Sequence, residues 1–257
     1  MQVSLMKPEE RHAALMIDEM QITSGLVYDH SCGAVLGAPT LPLADGSLPD
    51  DSLATHGLVF MLGGLSSRWK QVVGYHLTEN SFCASSPKDE LIKIITACES
   101  LGLKIHVVVS DMAGGNMALW SRFGIHAGRH SKPSTSCVHP CDPARRLWFT
   151  PDVPHLLKNL RNHLTSGQAI YLPDEVVQKH KLPTARVDLA HVKKLVEEDG
   201  KSELKIAPHL NSSCVDPKHY DKMKVKFAFS LFHNDTAADL RLLVDSGKLE
   251  KEALTTA

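Results

Sequence analysis

The chain has 257 residues, of which 43% are hydrophobic, and this is enough for one large or two smaller packed domains. Its formal net charge of -1 excludes a strongly basic overall field, so any nucleic-acid contact must use local groups of lysine and arginine. Six scattered cysteines, with no signal peptide and no apolar run long enough to span a bilayer, predict a protein of a reducing compartment with no membrane partner.

The first part of the chain predicts an antiparallel group of strands. Residues 12–23 are mostly apolar and predict a buried strand that carries Asp18 and Glu19. Further short apolar runs follow, and glycine, proline and aspartate separate them. This spacing is typical of a meander.

The pattern changes near residue 86. Leu91, Ile95 and Cys98 recur at helical spacing, and Gly102 is a suitable helix end. Residues 104–110 then form a continuous apolar run, which is typical of an interior parallel strand. The sequence therefore predicts a strand–helix–strand crossover.

The rest of the chain becomes helical. A short helix after residue 113, a long loop, a short strand near residues 145–149 and a helix from residue 152 are predicted first. Beyond residue 167 we expect helices joined by loops, with no clear strands. The fold class is therefore α/β, a mixed sheet flanked by helices, followed by a mostly α-helical segment.

Two aspartates stand out because each lies in, or directly after, an apolar strand. Asp18 has apolar neighbours on both sides, and a buried carboxylate is costly unless it is paired or metal-bound. Asp111 follows the apolar run over residues 104–110. If these strands are neighbours, the two carboxylates can approach, and Mg²⁺ or Mn²⁺ would neutralise their repulsion. Such ions suit phosphodiester chemistry.

Structural interpretations of the same acids stay open. An aspartate after a strand is often a turn residue or the N-cap of the next helix, and Asp111 fits this as well. Glu19 is expected on the opposite face of its strand from Asp18, where it is exposed or structural.

Four segments of the chain match the motifs of one known family. They are DEMQI with LVYD downstream, VVVSDMAGGNMALW, FTPDVPHLLKNLRNHL and YDKMKVKFAFSLFHNDTAADL. These segments resemble P-element-type transposases, the DNA transposases that include the THAP-domain group. They occur in order over nearly the whole chain, and DMAGGN and DVPHLLKNLRN are the most specific. The resemblance implies an RNase H-like catalytic domain over residues 12–166, followed over residues 167–257 by the first part of a helical insertion domain that binds GTP.

The resemblance also assigns roles by position. Asp18 and Asp111 would be catalytic acids that bind Mg²⁺ or Mn²⁺. Asn116 would orient Asp111 or contact DNA, with an ordinary helix-start residue as the alternative. Asp152 and His155 fall in the block before the insertion, where Asp152 is more simply a helix N-cap.

Parts of the family pattern are missing from this sequence. The third acid of the family is a glutamate that follows the insertion, and no glutamate here matches its motif. We therefore expect an incomplete catalytic triad and an inactive segment of a longer protein. No GxxxxGK[ST] phosphate loop occurs, so the GTP site is also expected to be incomplete.

Basic residues near the proposed site are candidates for contact with DNA phosphates. They are Arg145, Arg146, Lys158 and Arg161. The alternative is that these residues only form a solvated helix face with no role in binding DNA. The resemblance implies that the partner is the DNA of transposon ends and that the protein is nuclear. It is also compatible with assembly into a homo-oligomer.

One loop has histidines and cysteines at spacings that could hold zinc. The spacing of these residues matches no common zinc finger, however, so an ordinary surface loop is the simpler interpretation. They are His126, His130, Cys137 and Cys141.

These observations favour a fragment of a P-element-type transposase, a family that cleaves DNA and transfers strands with the help of metal ions. One alternative is a domesticated nuclear protein that binds DNA or protein without catalysis. Another is an intact RNase H-like nuclease that recruits a different acid.

Overall fold

The computed structural model describes residues 3–31, 33–41, 47, 52–79, 85–127, 132–201 and 203–257. The chain divides into two compact units, Met1–Asp152 and Val153–Ala257, which we call unit 1 and unit 2. Unit 2 therefore begins before residue 167. The assignment of residues 12–166 and 167–257 to functional domains stays a prediction. No helix of the described residues is long and apolar enough to cross a membrane.

Unit 1 is built on a mixed sheet of six strands in the order β5-β4-β1-β6-β8-β7. Its strands are β1 (His12–Gln21), β2 (Val27–Asp29), β3 (Ala34–Leu36), β4 (His56–Gly64), β5 (Lys70–Thr78), β6 (Lys104–Ser110), β7 (Ser136–His139) and β8 (Asp142–Pro151), and its helices are α1 (Ser85–Ser100) and α2 (Gly114–Arg122). β6 runs parallel to both β1 and β8, whereas the other neighbouring pairs are antiparallel. The predicted interior parallel strand is thus confirmed.

The core of unit 1 lies between one face of this sheet and the two helices. Alternate residues of β1 point into it, among them Leu15 and Ile17, because successive side chains of a strand face opposite sides. Leu91 and Ile95 of α1 are fully buried in the same core, as their helical spacing predicts.

Short elements differ from the sequence prediction. β2 and β3 form a separate two-stranded hairpin and do not join the meander. Part of the predicted long loop becomes β7, which pairs antiparallel with β8. A strand of four residues has too short a pattern to be recognised without its partner.

Unit 2 is mostly helical, as predicted. It contains α3 (Val153–Thr165), α4 (Asp174–His180), α5 (Leu189–Asp199), α6 (Ser212–Val215), α7 (Val225–Leu231), α8 (Asn234–Asp245) and α9 (Ala253–Thr256). Its core contains Leu195 of α5 and Leu240 of α8. The prediction of no strands needs a correction, since β9 (Ile170–Tyr171) and β10 (Arg186–Val187) form a short antiparallel pair.

Near the amino ends of β1 and β6, unit 1 holds a group of histidines. His12 Nδ1 and His106 Nε2 are joined by a hydrogen bond of 2.7 Å. His139 is buried, and its Nε2 lies 3.4 Å from Glu99 Oε1. Arg145 Nη2 contacts the other oxygen of Glu99 at 2.6 Å. The single carboxylate of Glu99 thus contacts both a cation and an imidazole.

These surroundings predict a pH-dependent stability of unit 1. Burial, then the positive charge of His12 and Arg145, lowers the pKa of His106, and Glu99 opposes this shift. Burial and Arg145 likewise lower the pKa of His139, and Glu99 and Asp142 oppose that shift.

Because these two histidines are harder to protonate in the folded chain, the unfolded chain binds more protons below about pH 6.5. The free energy of unfolding should therefore fall as the pH is lowered from about 7.5 to about 5.5. Urea unfolding followed by tryptophan fluorescence measures this, since all three tryptophans lie in unit 1. The fall should be smaller in His106→Gln, and an equal fall in that variant contradicts the assignment.

Candidate catalytic site

The two aspartates singled out by sequence occupy neighbouring positions at one edge of the sheet. β1 and β6 are parallel, and their register pairs Met16 with Val109 and Ile17 with Ser110. Asp18 is the next residue of β1, and Asp111 directly follows β6. The carboxyl ends of parallel strands meet at the same edge, which is where open α/β sheets carry their sites. The fold thus brings together residues that are far apart in sequence.

Asp18 is exposed, and this differs from the buried carboxylate that its apolar neighbours predict. Ile17 points into the core, so Asp18 faces the other side of the sheet, where it borders a cleft of about 240 Å³. The cleft is lined by Met16, Asp18, Met20, Val59 and Met61. Because Asp18 is exposed, the cost of burying a carboxylate does not support a metal site there. The argument that remains for a metal site is the position of Asp18 beside Asp111.

Glu19 is half-buried on the face opposite Asp18. Its Oε1 accepts a hydrogen bond of 3.0 Å from the buried Thr78 hydroxyl. This contact joins β1 to the end of β5, which agrees with the structural interpretation of Glu19.

Asp111 is half-buried, and other groups hold its side chain. Its Oδ1 accepts hydrogen bonds from the backbone N–H of Ala113 at 2.9 Å and from Asn116 Nδ2 at 2.6 Å. The bond to Ala113 is the one that a turn aspartate makes. Asp111 therefore shapes the turn into α2 through this oxygen.

A third aspartate follows a third parallel strand at this edge. Pro151 of β8 pairs with Ser110, and the backbone N–H of Asp152 donates to the Ser110 carbonyl at 2.8 Å. Asp152 is thus the residue after β8, as Asp111 is the residue after β6. His155 lies in α3 of unit 2 and is half-buried. The sequence does carry a signal for Asp152, since RRLWFTPD ends an apolar strand with an acid just as KIHVVVSD does.

The two basic candidates of unit 1 both make internal contacts. Arg145 forms ion pairs with Glu99 at 2.6 Å and with Asp142 at 2.9 Å. Arg146 is exposed, and its guanidinium donates to the carbonyl of Ser136 on β7 at 2.6 Å. Arg146 is the more accessible of the two, and DNA contact by either residue stays a prediction.

The basic candidates of unit 2 differ in exposure. Lys158 of α3 is half-buried, whereas Arg161 of the same helix is 0% exposed. The guanidinium of Arg161 donates to the carbonyls of Lys222 at 2.6 Å and Lys224 at 3.3 Å, and to Asn162 Oδ1. Burial lowers the pKa of this guanidinium. Its placement argues against the proposed contact with DNA phosphate, since its donors are used inside unit 2.

Within the described ranges, no group of three or more histidine, cysteine, aspartate or glutamate side chains could hold a metal ion. Among the zinc candidates, Cys137 is part of β7 and packs against the core, and Cys141 is exposed. His130 lies outside the described residues.

Comparisons with known proteins agree with this architecture. The family described as "TNP-like, RNase H N-terminal domain" matches residues 1–124. The Drosophila melanogaster protein named "Transposable element P transposase" is 27% identical over 248 residues, covering 96% of this chain and 28% of that protein. The human protein named "DNA transposase THAP9" is 22% identical over 235 residues, covering 91% of this chain and 24% of that protein. The chain therefore spans about a quarter of the length of these relatives.

A solved structure shares the fold. It is titled "Drosophila P element transposase strand transfer complex", and it matches 96% of this chain and 48% of its own with a TM-score of 0.73 and 24% identity. This likeness shows that the mixed sheet and its flanking helices have the RNase H-like fold. By sequence the chain is similar to P-element-type transposases, a TNP-like RNase H N-terminal domain matches within unit 1, and the fold is RNase H-like.

Proposed function

We propose that the chain is part of a transposase that cleaves DNA and transfers strands with the help of bound divalent cations, and that Asp18 and Asp111 are two ligands of those cations. The observation that carries this proposal is the register of β1 and β6, which puts the two residues side by side at the carboxyl edge. Relatives named as transposases make DNA the proposed partner.

The chemistry of these side chains fits Mg²⁺ or Mn²⁺. Hard cations prefer carboxylate oxygen, and Asp18 is exposed while Asp111 is half-buried, so a hydrated ion can approach this edge. When bound, such cations activate the attacking oxygen and stabilise the leaving oxygen of a phosphodiester. The role of the chain is to hold the carboxylates on two adjacent strands of a rigid sheet. Two carboxylates alone leave most coordination positions to water, so we expect weak binding.

Titration with Mn²⁺, followed by electron paramagnetic resonance of the free ion, tests this proposal. Asp18→Asn and Asp111→Asn should each weaken Mn²⁺ binding by more than about tenfold, because each removes one anionic oxygen ligand. Asp142→Asn is the matched control, since Asp142 begins β8 at the opposite end of the sheet and pairs with Arg145. Unchanged affinity in Asp111→Asn would show that this residue serves only the turn.

Nicking of supercoiled plasmid in Mn²⁺ addresses activity separately from binding. Nicking that is lost in Asp18→Asn would show that the chain completes a working site. Mn²⁺ binding without nicking would agree with the incomplete triad expected from the sequence. DNA binding that is independent of cations and unaffected by either aspartate variant would instead favour the non-catalytic alternative.

Other properties are proposed on the family resemblance alone. They are GTP binding by the helical region with an incomplete site, a nuclear location, the DNA of transposon ends as substrate and assembly into a homo-oligomer. The incomplete triad and the inactivity of the isolated chain are proposals of the same kind.

A further inference from the structure

Asn116 is a buried amide at the start of α2 that reaches back to the candidate site. It is 5% exposed, and its Nδ2 donates to Asp111 Oδ1 at 2.6 Å. The backbone N–H of Ala113 donates to the same oxygen at 2.9 Å. The side chain of Asn116 in α2 and the backbone N–H of Ala113 in the preceding turn therefore both donate to the same oxygen of Asp111.

The side-chain carbonyl oxygen of Asn116 differs from its amino group in its hydrogen bonding. Among the described residues, no group donates a hydrogen bond to Asn116 Oδ1, although the atom is buried. A buried carbonyl without a donor costs free energy of folding, and an apolar side chain of similar shape avoids that cost. Packing alone would therefore favour leucine at this position. Residues that break a local rule of stability in this way are found mostly at functional sites.

We propose that Asn116 is a positioning residue for Asp111. Its amide, together with the Ala113 N–H, keeps the Asp111 carboxylate in one orientation at the sheet edge before any cation binds. This inference rests on the proposed function, in which Asp111 is a cation ligand. Hydrogen-bonding partners of a ligating carboxylate orient it, and their loss typically weakens metal binding about 10- to 100-fold.

The test is Asn116→Leu in the full chain, with three measurements. Mn²⁺ affinity should fall by about tenfold or more. The melting temperature should change little, because the substitution removes both the unpaired carbonyl and the hydrogen bond to Asp111, whose effects on stability oppose each other. Carbon-13 NMR of the Asp111 side chain should change from one rotamer to an average of several. A merely structural role predicts the reverse, with a lower melting temperature, one Asp111 rotamer and unchanged affinity, and that result overturns the proposal.

Met117→Leu is the matched control. Met117 is the next residue of α2 and packs against the core of unit 1, and its side chain has no hydrogen-bond donor for a carboxylate. Its substitution should leave the Mn²⁺ affinity unchanged, because a volume-conserving swap between methionine and leucine perturbs a core little.

A measurement on the unaltered chain covers the case in which Asn116→Leu does not fold. Titration with Mg²⁺ should shift the side-chain amide protons of Asn116 with the same midpoint as the Asp111 carboxyl carbon. The side-chain amide of Asn162 in unit 2 is the internal reference. Asn116 signals that stay in place while the Asp111 signal moves would overturn the proposal.

The two hypotheses fail in different ways. If the unaltered chain binds no Mn²⁺, or if Asp111→Asn binds it normally, the proposed function is wrong. If Asp111→Asn loses binding while Asn116→Leu retains it, the function stands and the positioning role of Asn116 is wrong.

Discussion

Replacing Trp120 by alanine is expected to lower the free energy of unfolding of unit 1 by about 4 kcal/mol, the usual cost of removing a large buried aromatic side chain. Trp120 of α2 is 6% exposed, and its ring lies edge-on to Phe149 of β8 with centroids 5.9 Å apart. Its indole N–H donates to the buried Ser110 hydroxyl at 3.0 Å. The side chain thus joins α2 to the end of β6, directly before Asp111. Urea unfolding measured by the fluorescence of the remaining tryptophans gives the loss.

Trp148→Ala is the control for this prediction. Trp148 belongs to β8 but is 51% exposed, so its removal should cost about 1 kcal/mol or less. Equal losses in the two variants would mean that the contacts of Trp120 with β6 and β8 contribute no particular stability.

Replacing Arg161 by methionine is expected to destabilise unit 2 by about 3 kcal/mol or more, because buried acceptors lose charged donors that no water replaces. The methionine side chain retains much of the buried apolar stem of Arg161, so the loss reports the guanidinium. That group connects α3 to the carbonyls of Lys222 and Lys224, where the chain enters α7. Arg161→Lys should be intermediate, since an ammonium lacks the planar fork that contacts both carbonyls.

The two units allow this effect to be located. All tryptophans lie in unit 1, and most of the described helical residues lie in unit 2. Arg161→Met should therefore shift the unfolding transition seen by circular dichroism at 222 nm more than the one seen by tryptophan fluorescence. Arg241→Met on α8 is the control, because Arg241 is exposed and its loss should stay within about 0.5 kcal/mol. Similar shifts in both variants would contradict the structural role of Arg161.

Much of the fold follows from patterns that lie within one element. The continuous apolar run of β6 predicts an interior parallel strand, and the helical spacing of Leu91 and Ile95 predicts α1. Each of these patterns reflects which residues of that element are buried, so the element can be predicted without knowing what it packs against. β7 and the pair of β9 with β10 have no such pattern, because a strand of two to four residues is stabilised only by pairing with its neighbour.

Some features of the candidate site could likewise be predicted from the sequence, and others could not. The sequence by itself determined that Asp111 ends an apolar strand and that Asp18 lies within another, since both facts are local. Only the tertiary structure decided that Asp18 is exposed, that Asp152 follows a third parallel strand at the same edge, and that Arg161 is buried. The reason is physical. Exposure and proximity depend on which elements pack on each face of a sheet or helix, and the residues that make those contacts are distant in the chain.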